Sequence, residues 1–368
     1  MITPLNIPKR LLLGPGPSEP HPRVLAAQAQ PLLGHLDPAF LQIMTEVQDK
    51  LRAVLQTKNA FTLPVSGTGM AGMECVVANL IEPGDKMVVC SAGFFGDRMA
   101  NIAQRAGANV TTIPGEWGDC FSVDAIEAAL KQHRPKVFGI VHAETSTGVL
   151  QPIDKLGELC HRYDALLAVD AVTSLATAPL HVDGWQIDAL YSGTQKGLGC
   201  PPGLAPVTFS EQAVETIRKR KTPVQSYYLD VVELVKYWGA DRFYHHTAPI
   251  SSVYALHEGL GIVLEEGLEI RWKRHMANWS ILKTGLQSMG LSYFTKEHCQ
   301  LPALSAVRIP EGIDDMTIRK RLLTEFGIEI GGGLGPLKGK AWRIGLMGYG
   351  SSLENVDKFL SAMKVYLK

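Results

Sequence analysis

The segment Leu166-Leu-Ala-Val-Asp170 decides the fold, because it is a short continuous apolar run that ends in an acid. A run of this length that is apolar throughout is typical of a strand buried on both faces. Similar runs lie on either side, at Lys136-Val-Phe-Gly-Ile-Val141 and at Ala189-Leu-Tyr191. Residues 152–163, between Val141 and Leu166, have a helical pattern. Strands that alternate with helices predict an α/β fold with a mostly parallel sheet and helices on both faces.

The same alternation extends outward from this centre in both directions. It predicts further strands at residues 61–65, 86–90, 110–113 and 205–209, and helices at residues 22–34, 38–56, 69–81, 96–106 and 122–132. From residue 250 to about 288 the pattern is nearly all helical, and the shorter strands and helices that follow predict a smaller α+β unit. We therefore predict an N-terminal arm over residues 1–14, a large domain over 15–265 and a small C-terminal domain over 266–368.

Composition excludes several classes of protein. The 368 residues include 36 basic and 36 acidic side chains, so the net charge is zero and a nucleic-acid partner is not expected. The six cysteines form no CxxC pair, so the sequence predicts no metal site. We find neither a signal-peptide pattern nor an apolar stretch of the roughly 20 residues that cross a bilayer. We therefore expect a cytoplasmic protein with no membrane partner.

A glycine-rich turn, Gly67-Thr-Gly69-Met-Ala-Gly72, lies between a predicted strand and a predicted helix. Its residues match the G-x-G-x-x-G fingerprint of dinucleotide-binding sites, but the next predicted strand does not end in the acid that this fingerprint requires. Backbone N–H groups at a helix N-terminus are well suited to a phosphate. The turn thus favours a phosphate site over a dinucleotide site, with a purely structural tight turn as the remaining alternative.

Two further residues follow predicted strands, where ligands of open α/β sheets collect. Asp170 ends its apolar strand, and Lys196 follows the next strand in Tyr191-Ser-Gly-Thr-Gln-Lys196. Taken singly, Asp170 could be a capping acid and Lys196 a surface charge. Together with the phosphate-binding turn they supply the amine, the acid and the anchor that pyridoxal phosphate requires.

The sequence resembles the class V aminotransferases, which are pyridoxal-phosphate enzymes of fold type I, and is most similar to their alanine–glyoxylate and serine–pyruvate group. The matching segments occur in family order over almost the whole chain. They are Leu12-Leu-Gly-Pro-Gly-Pro17, Ser66-Gly-Thr-Gly69, Glu144-Thr-Ser-Thr-Gly148, Val169-Asp-Ala-Val172, Ser192-Gly-Thr-Gln-Lys196, Pro201-Pro-Gly203, Tyr244-His-His-Thr247, Gly332-Gly-Leu-Gly335 and Trp342-Arg-Ile-Gly-Leu346. The resemblance implies a seven-stranded, mostly parallel sheet and a homodimer with shared active sites.

The resemblance also implies roles for individual residues. Lys196 would form the aldimine with the cofactor and act as the base, and Asp170 would keep the ring nitrogen protonated. The cofactor would be held by Thr68, Gly69, Met70, Phe95, Thr145, Asp170, Val172, Gln195 and Lys196, with Tyr244 and Thr247 reaching the cofactor of the other subunit. Phe95 lies where relatives often carry Trp or Tyr. Gly16, Thr145 and Arg343 would bind the substrate, with Arg343 on its carboxylate.

The implied reaction moves an amino group from a small L-amino acid, alanine or serine, to glyoxylate or pyruvate in two half-reactions. Other class V aminotransferases, of the 2-aminoethylphosphonate, ureidoglycine or hydroxykynurenine type, remain alternatives. Cysteine desulfurases typically carry His before the lysine and a nucleophilic thiol on a mobile loop, whereas this chain has Gln195 and places Cys299 elsewhere. A noncatalytic subunit is disfavoured by the intact set of Lys196, Asp170 and Arg343.

Overall fold

A computed structural model of the chain describes residues 5–367, so the first four residues of the predicted N-terminal arm lie outside it. The strands are β1 (Leu11–Leu12), β2 (Phe61–Ser66), β3 (Lys86–Ser91), β4 (Asn109–Pro114), β5 (Val137–Val141), β6 (Ala143–Glu144), β7 (Val149–Leu150), β8 (Leu166–Asp170), β9 (Ala189–Tyr191), β10 (Leu204–Phe209), β11 (Leu304–Arg308), β12 (Ile328–Glu329), β13 (Gly331–Gly332) and β14 (Ala341–Gly345). The helices are α1 (Pro22–Gln28), α2 (Pro38–Leu55), α3 (Gly69–Leu80), α4 (Phe94–Arg105), α5 (Val123–His133), α6 (Leu156–His161), α7 (Glu211–Arg218), α8 (Val231–Trp238), α9 (Ile250–Glu266), α10 (Leu268–Ser288), α11 (Asp315–Phe326) and α12 (Leu353–Tyr366).

Seven strands form the central sheet in the order β2-β10-β9-β8-β5-β3-β4. All neighbouring pairs are parallel except those of β10, which is antiparallel to both β2 and β9. The prediction of a mostly parallel, seven-stranded α/β sheet is therefore confirmed. Because β8 and β9 are parallel and in register at Asp170 and Tyr191, their carboxyl ends meet at one edge of the sheet.

Local sequence explains where the helices begin and end. α2 begins with Pro38 after an Asp37 cap, and α5 begins after Ser122, whose hydroxyl accepts a hydrogen bond from the Ala125 N–H. Two predicted helices are too long. The helix predicted over residues 22–34 ends at Gln28, shortly before a proline that cannot donate to a helix, and the one predicted over 152–163 begins only at Leu156, after a turn. Helices α7 and α8 lie in a region for which we predicted no element.

The apolar side chains form two main cores. One extends along the chain from Val24 to Val263 and surrounds the seven-stranded sheet, and the other joins Leu13 to side chains between Leu282 and Met363. A small third cluster, which includes Ala143 and Leu301, lies where the two parts meet. β1 of the predicted arm pairs in parallel with β12. The predicted division at residues 265/266 remains a prediction.

Within the described residues 5–367, the helices are either too short or too polar to span a lipid bilayer.

Candidate active site

A pocket lies at the carboxyl ends of β8 and β9, against the N-terminus of α3. It is lined by Thr68, Gly69, Met70, Met73, Phe95, Ala143, Thr145, Asp170, Val172, Thr173, Tyr191, Gln195 and Lys196. All of the predicted cofactor-binding residues except Tyr244 and Thr247 line this pocket. The fold therefore brings together residues that are separated by more than a hundred positions in the sequence.

Asp170 is the acid at the floor of the pocket. Its carboxylate is 2% exposed and accepts hydrogen bonds from the Val172 N–H and the Tyr191 hydroxyl, each at 2.8 Å. Burial raises the pKa of Asp170 to about 7, although these two hydrogen bonds and Lys196 act in the opposite direction. A buried carboxylate held by two donors is suited to receiving a charged or protonated ring nitrogen.

Lys196 is the amine of the pocket and lies in the turn after β9. Burial and, to a smaller extent, the charge of Arg343 lower its pKa to about 8, and the charge of Asp170 partly offsets both effects. The Lys196 ammonium donates a hydrogen bond to the Pro15 carbonyl. Gly16 is adjacent, with a φ of +112°, and a Cβ atom there would lie 2.6 Å from the Lys196 Nζ atom. Gly16 thus leaves the space that the lysine side chain occupies.

The N-terminus of α3 forms the third side of the pocket. Thr68 is its N-cap residue and makes no side-chain cap hydrogen bond, so the first backbone N–H groups of the helix face the pocket without a capping oxygen. Gly69 packs against Val172, and a Cβ atom there would lie 3.0 Å from a Val172 methyl carbon. The Gln195 Oε1 atom is buried without a hydrogen-bond partner in the described chain. The unused N–H donors of the helix N-terminus are suited to an anion such as phosphate, whereas the Gln195 oxygen is an acceptor and is suited to a donor.

Glu144 fixes the first turn of α4, which carries Phe95 on one side of the pocket. Its carboxylate is 5% exposed and accepts hydrogen bonds from the Phe95 N–H at 3.0 Å, the Ser146 N–H at 3.0 Å and the Ser146 hydroxyl at 2.6 Å. The Ser146 hydroxyl in turn accepts a hydrogen bond from the Phe94 N–H at 3.0 Å. Burial raises the pKa of Glu144, and its hydrogen bonds lower it. Glu144 and Ser146 therefore cap α4 from another part of the chain and position the Phe95 ring.

Arg343 lies on β14 of the small sheet and is not among the lining residues, but it contacts Thr145, which lines the pocket. It is 8% exposed, and its guanidinium donates to the Gly332 carbonyl at 2.7 Å and to the Thr145 carbonyl at 3.3 Å. Burial lowers the pKa of Arg343 to about 10, and the charge of Glu144 raises it. Within the described chain these two bonds use Nε and Nη1, which leaves Nη2 to bind a carboxylate.

Tyr244 and Thr247 lie away from the pocket of their own chain. The Tyr244 hydroxyl is 3.3 Å from the Thr247 hydroxyl, and the Tyr244 side chain is half exposed beside the His35 ring. Their predicted contact with a second subunit remains a prediction.

Sequence reasoning assigned no role to Tyr191 or Glu144, although both belong to quoted segments. Tyr191 lies opposite Asp170 in the register of β8 and β9, which the order of residues alone does not give. Glu144 opens the Glu144-Thr-Ser-Thr-Gly148 segment, and a carboxylate in an otherwise uncharged buried segment was the signal that could have identified it.

Comparison with known proteins shows the family to which the chain belongs. The family model for class V aminotransferases matches residues 24–359. The chain is 45% identical to an alanine–glyoxylate aminotransferase of Callithrix jacchus, over all of this chain and 90% of the relative. It is 42% identical to an (S)-ureidoglycine–glyoxylate transaminase of Bacillus subtilis, over 99% of this chain and 92% of the relative. The crystal structure of an alanine–glyoxylate aminotransferase from Nostoc sp. is 49% identical and superposes with a TM-score of 0.98, covering 100% of this chain and 98% of the other. The chain therefore belongs to the class V aminotransferase family and has its fold type I architecture.

Proposed function

We propose that the protein is a pyridoxal-phosphate-dependent aminotransferase that moves an amino group from alanine or serine to glyoxylate, or to pyruvate. The observation that carries this proposal is one pocket that joins Lys196, Asp170 and the N-terminus of α3, with Arg343 at its side. The names of the relatives support it, since those from Callithrix jacchus and Nostoc sp. are alanine–glyoxylate aminotransferases.

The residues present fit pyridoxal phosphate. The uncapped N-terminus of α3 would bind the phosphate, with the Gln195 side chain lining the same pocket, and the Phe95 ring would pack against the pyridine ring. Val172 and Thr145 line the remaining space around the ring. When bound, the cofactor supplies an electron sink for the bond that breaks at the amino acid Cα.

Asp170 and Lys196 would control the protons in this pocket. The Asp170 carboxylate, held by Tyr191 and Val172, would keep a proton on the pyridine nitrogen. Lys196 would bind the cofactor covalently and, once released, accept the Cα proton, because burial makes its neutral form accessible near pH 8. The hydrogen bonds from Val172 and Tyr191 and the charge of Lys196 lower the Asp170 pKa and so favour the ionised carboxylate that this role needs.

Arg343 would orient the substrate. Its guanidinium is held at Nε and Nη1, so the remaining donors would bind the α-carboxylate of alanine or glyoxylate at a fixed angle. Thr145 and Gly16 flank the same space, and Gly16 leaves room beside Lys196. This arrangement selects small α-amino and α-keto acids through their shared carboxylate.

We further propose a cytoplasmic homodimer in which Tyr244 and Thr247 complete the cofactor site of the other subunit. The half-exposed Tyr244 and its contact with Thr247 support a surface-facing role. The balanced charge argues against a nucleic-acid partner, and we propose no membrane partner.

The ureidoglycine reaction is the second candidate, favoured by the 42% identical Bacillus subtilis relative. A panel of purified enzyme with alanine, serine and ureidoglycine as donors, each with glyoxylate and pyruvate, distinguishes the two. We expect the highest kcat/KM with alanine or serine and glyoxylate. A higher kcat/KM with ureidoglycine would replace this proposal with the second candidate.

A further inference from the structure

Four side chains with metal-binding atoms converge at a place that shares no residue with the lining of the pocket. They are Asp119 and Cys120 from the loop after β4, and His298 and Cys299 from the segment before β11. One ligand atom from each residue lies within 4.8 Å of the ligand atoms of the other three. We propose that these four residues form a Zn²⁺ site that joins the large and small parts of the chain.

The spacing of the ligand atoms suits a tetrahedral ion. With Zn–S near 2.3 Å and Zn–N or Zn–O near 2.0 Å, the edges of a tetrahedron are about 3.3–3.8 Å long. The His298 Nε2 atom is 3.1 Å from the Asp119 Oδ1 atom, and the Cys299 Sγ atom is 4.0 Å from the same oxygen. Each of these two values differs from a tetrahedral edge by about half an ångström or less. Every other pair of ligand atoms lies within 4.8 Å, so side-chain rotations that move the atoms by up to about 1 Å would complete the coordination.

The choice of zinc follows from the donor atoms. Two thiolates and an imidazole favour Zn²⁺ over Mg²⁺ or Ca²⁺, which prefer oxygen ligands. Cys120 and Cys299 are both free thiols in the structure. A single Asp oxygen is an accepted fourth zinc ligand. Four protein ligands are the number found in structural rather than catalytic zinc sites.

Neighbouring groups orient the carboxylate and balance the charge. Lys296 donates to the Asp119 Oδ2 atom at 2.7 Å, which leaves Oδ1 directed at the cluster, and the Cys120 N–H donates to Oδ1 at 2.8 Å. Zn²⁺ with two thiolates and one carboxylate has one net negative charge, and the Lys296 ammonium lies beside it. Lys296 also pairs with Glu116, whose side chain is largely exposed to solvent.

The position of the four residues suggests that a bound ion would have a structural role, since it would link two segments of the chain. The segment that carries His298 and Cys299 is also bonded to the loop that follows Thr145. The Thr295 hydroxyl donates to the Thr147 carbonyl, and the Leu301 N–H donates to the Gly148 carbonyl at 2.9 Å. An ion at the cluster would fasten this segment to the large part of the chain and thereby hold the Thr145 loop between the two.

The sequence predicts no metal site because the ligands occur as two adjacent pairs, Asp119-Cys120 and His298-Cys299, rather than as a spaced motif. Asp119 and Cys299 are 180 residues apart, and only the fold brings the pairs together. The site lies outside the pocket residues, so it is independent of the proposed function.

Metal analysis of the purified enzyme with bound cofactor tests the proposal. The protein is reduced, treated with a chelator, equilibrated with Zn²⁺ and washed, and its zinc content is measured by mass spectrometry. We expect about one tightly held Zn²⁺ per chain. When Co²⁺ replaces Zn²⁺, we expect absorption at the red end of the visible spectrum, as a tetrahedral Co²⁺–thiolate complex gives. Zn²⁺ should also protect Cys120, the less buried of the two thiols, from alkylation, as read by peptide mass spectrometry.

Variants separate this site from adventitious binding. Cys120→Ser and His298→Ala should each weaken Zn²⁺ binding by about tenfold or more, whereas His133→Ala, on α5, should bind as the wild type does. The His298 side chain is 62% exposed, so His298→Ala should fold normally, as its circular dichroism and bound cofactor would show. Wild-type protein that retains no Zn²⁺, or a Cys120→Ser variant that binds it undiminished, would overturn the proposal.

Discussion

The Tyr191 hydroxyl donates a 2.8 Å hydrogen bond to the Asp170 carboxylate across two neighbouring parallel strands. Both side chains are buried, and the bond favours the ionised carboxylate that burial disfavours. Tyr191 thus stabilises the ionised form of the acid at the floor of the pocket, although it is 21 residues away in the sequence. Five predictions follow from the contacts in and around this pocket.

Replacing Tyr191 with Phe should make the Asp170 carboxylate harder to ionise. The bond lowers the pKa of Asp170, so its loss should raise that pKa above about 7, and the acidic limb of kcat/KM should move upward by about one pH unit. The check is a pH profile beside Tyr163→Phe, which removes a surface hydroxyl bonded to Glu127. An unmoved acidic limb in Tyr191→Phe would show that this bond does not control Asp170.

Replacing Lys196 with Ala should abolish turnover and the visible absorbance of the lysine-bound cofactor. In the wild-type chain freed of cofactor, covalent uptake of pyridoxal phosphate should accelerate with pH and level off above about 8. The sign follows because the neutral amine reacts, and burial lowers the Lys196 pKa to about 8 from 10.5. Lys219→Ala, an exposed lysine, is the control. A rate that still rises toward pH 10 would contradict the lowered pKa.

Replacing Arg343 with Ala should raise KM for both alanine and glyoxylate by roughly thirtyfold, since a hydrogen-bonded charge contributes about 2 kcal/mol. Arg343→Lys should recover only part of this, because an ammonium lacks the planar fork. Steady-state kinetics with both substrates make the measurement. Arg308→Ala is the matched control, because Arg308 lies exposed at the end of the neighbouring strand β11. Unchanged KM values in Arg343→Ala would exclude it from carboxylate binding.

Replacing Glu144 with Ala should destabilise the protein by about 3 kcal/mol, because the Phe95 and Ser146 N–H groups lose their buried acceptor. Glu144→Ala should also weaken cofactor binding, because the Phe95 N–H loses its acceptor, and Glu144→Gln should do so in part, because one amide oxygen cannot accept from both N–H groups. Denaturant unfolding and cofactor titration measure the two effects, with the exposed Glu158→Ala as control. Equal cofactor affinity in Glu144→Ala and the wild type would show that Phe95 is positioned without Glu144.

Mixing two inactive variants tests the shared site. Lys196→Ala and a Tyr244→Phe/Thr247→Ala double variant should each be inactive or weak as homodimers. Their heterodimer should regain activity, because one of its two sites would keep Lys196 and receive intact Tyr244 and Thr247 from the other subunit. Subunit exchange is confirmed with two affinity tags. An inactive heterodimer of proven composition would argue against cross-subunit cofactor binding.

Much of the fold could be predicted from the sequence because its signals are local. Apolar runs such as Leu166–Asp170 specify strands, and small residues at 67–72 specify a strand-to-helix turn, whatever the rest of the chain does. The α1 and α6 boundaries were wrong because helical periodicity continues past the point where proline or a turn ends the backbone hydrogen bonds.

The sequence by itself determined the mostly parallel α/β architecture and the family, and it predicted Lys196 and Asp170 as the reactive pair. Only the tertiary structure decided which distant groups contact one another. Tyr191 reaches Asp170 through strand register, Glu144 caps α4 from another segment, and Asp119 meets Cys299 across 180 residues. Those contacts depend on how strands align and how the parts of the chain close on one another, and no local propensity records either.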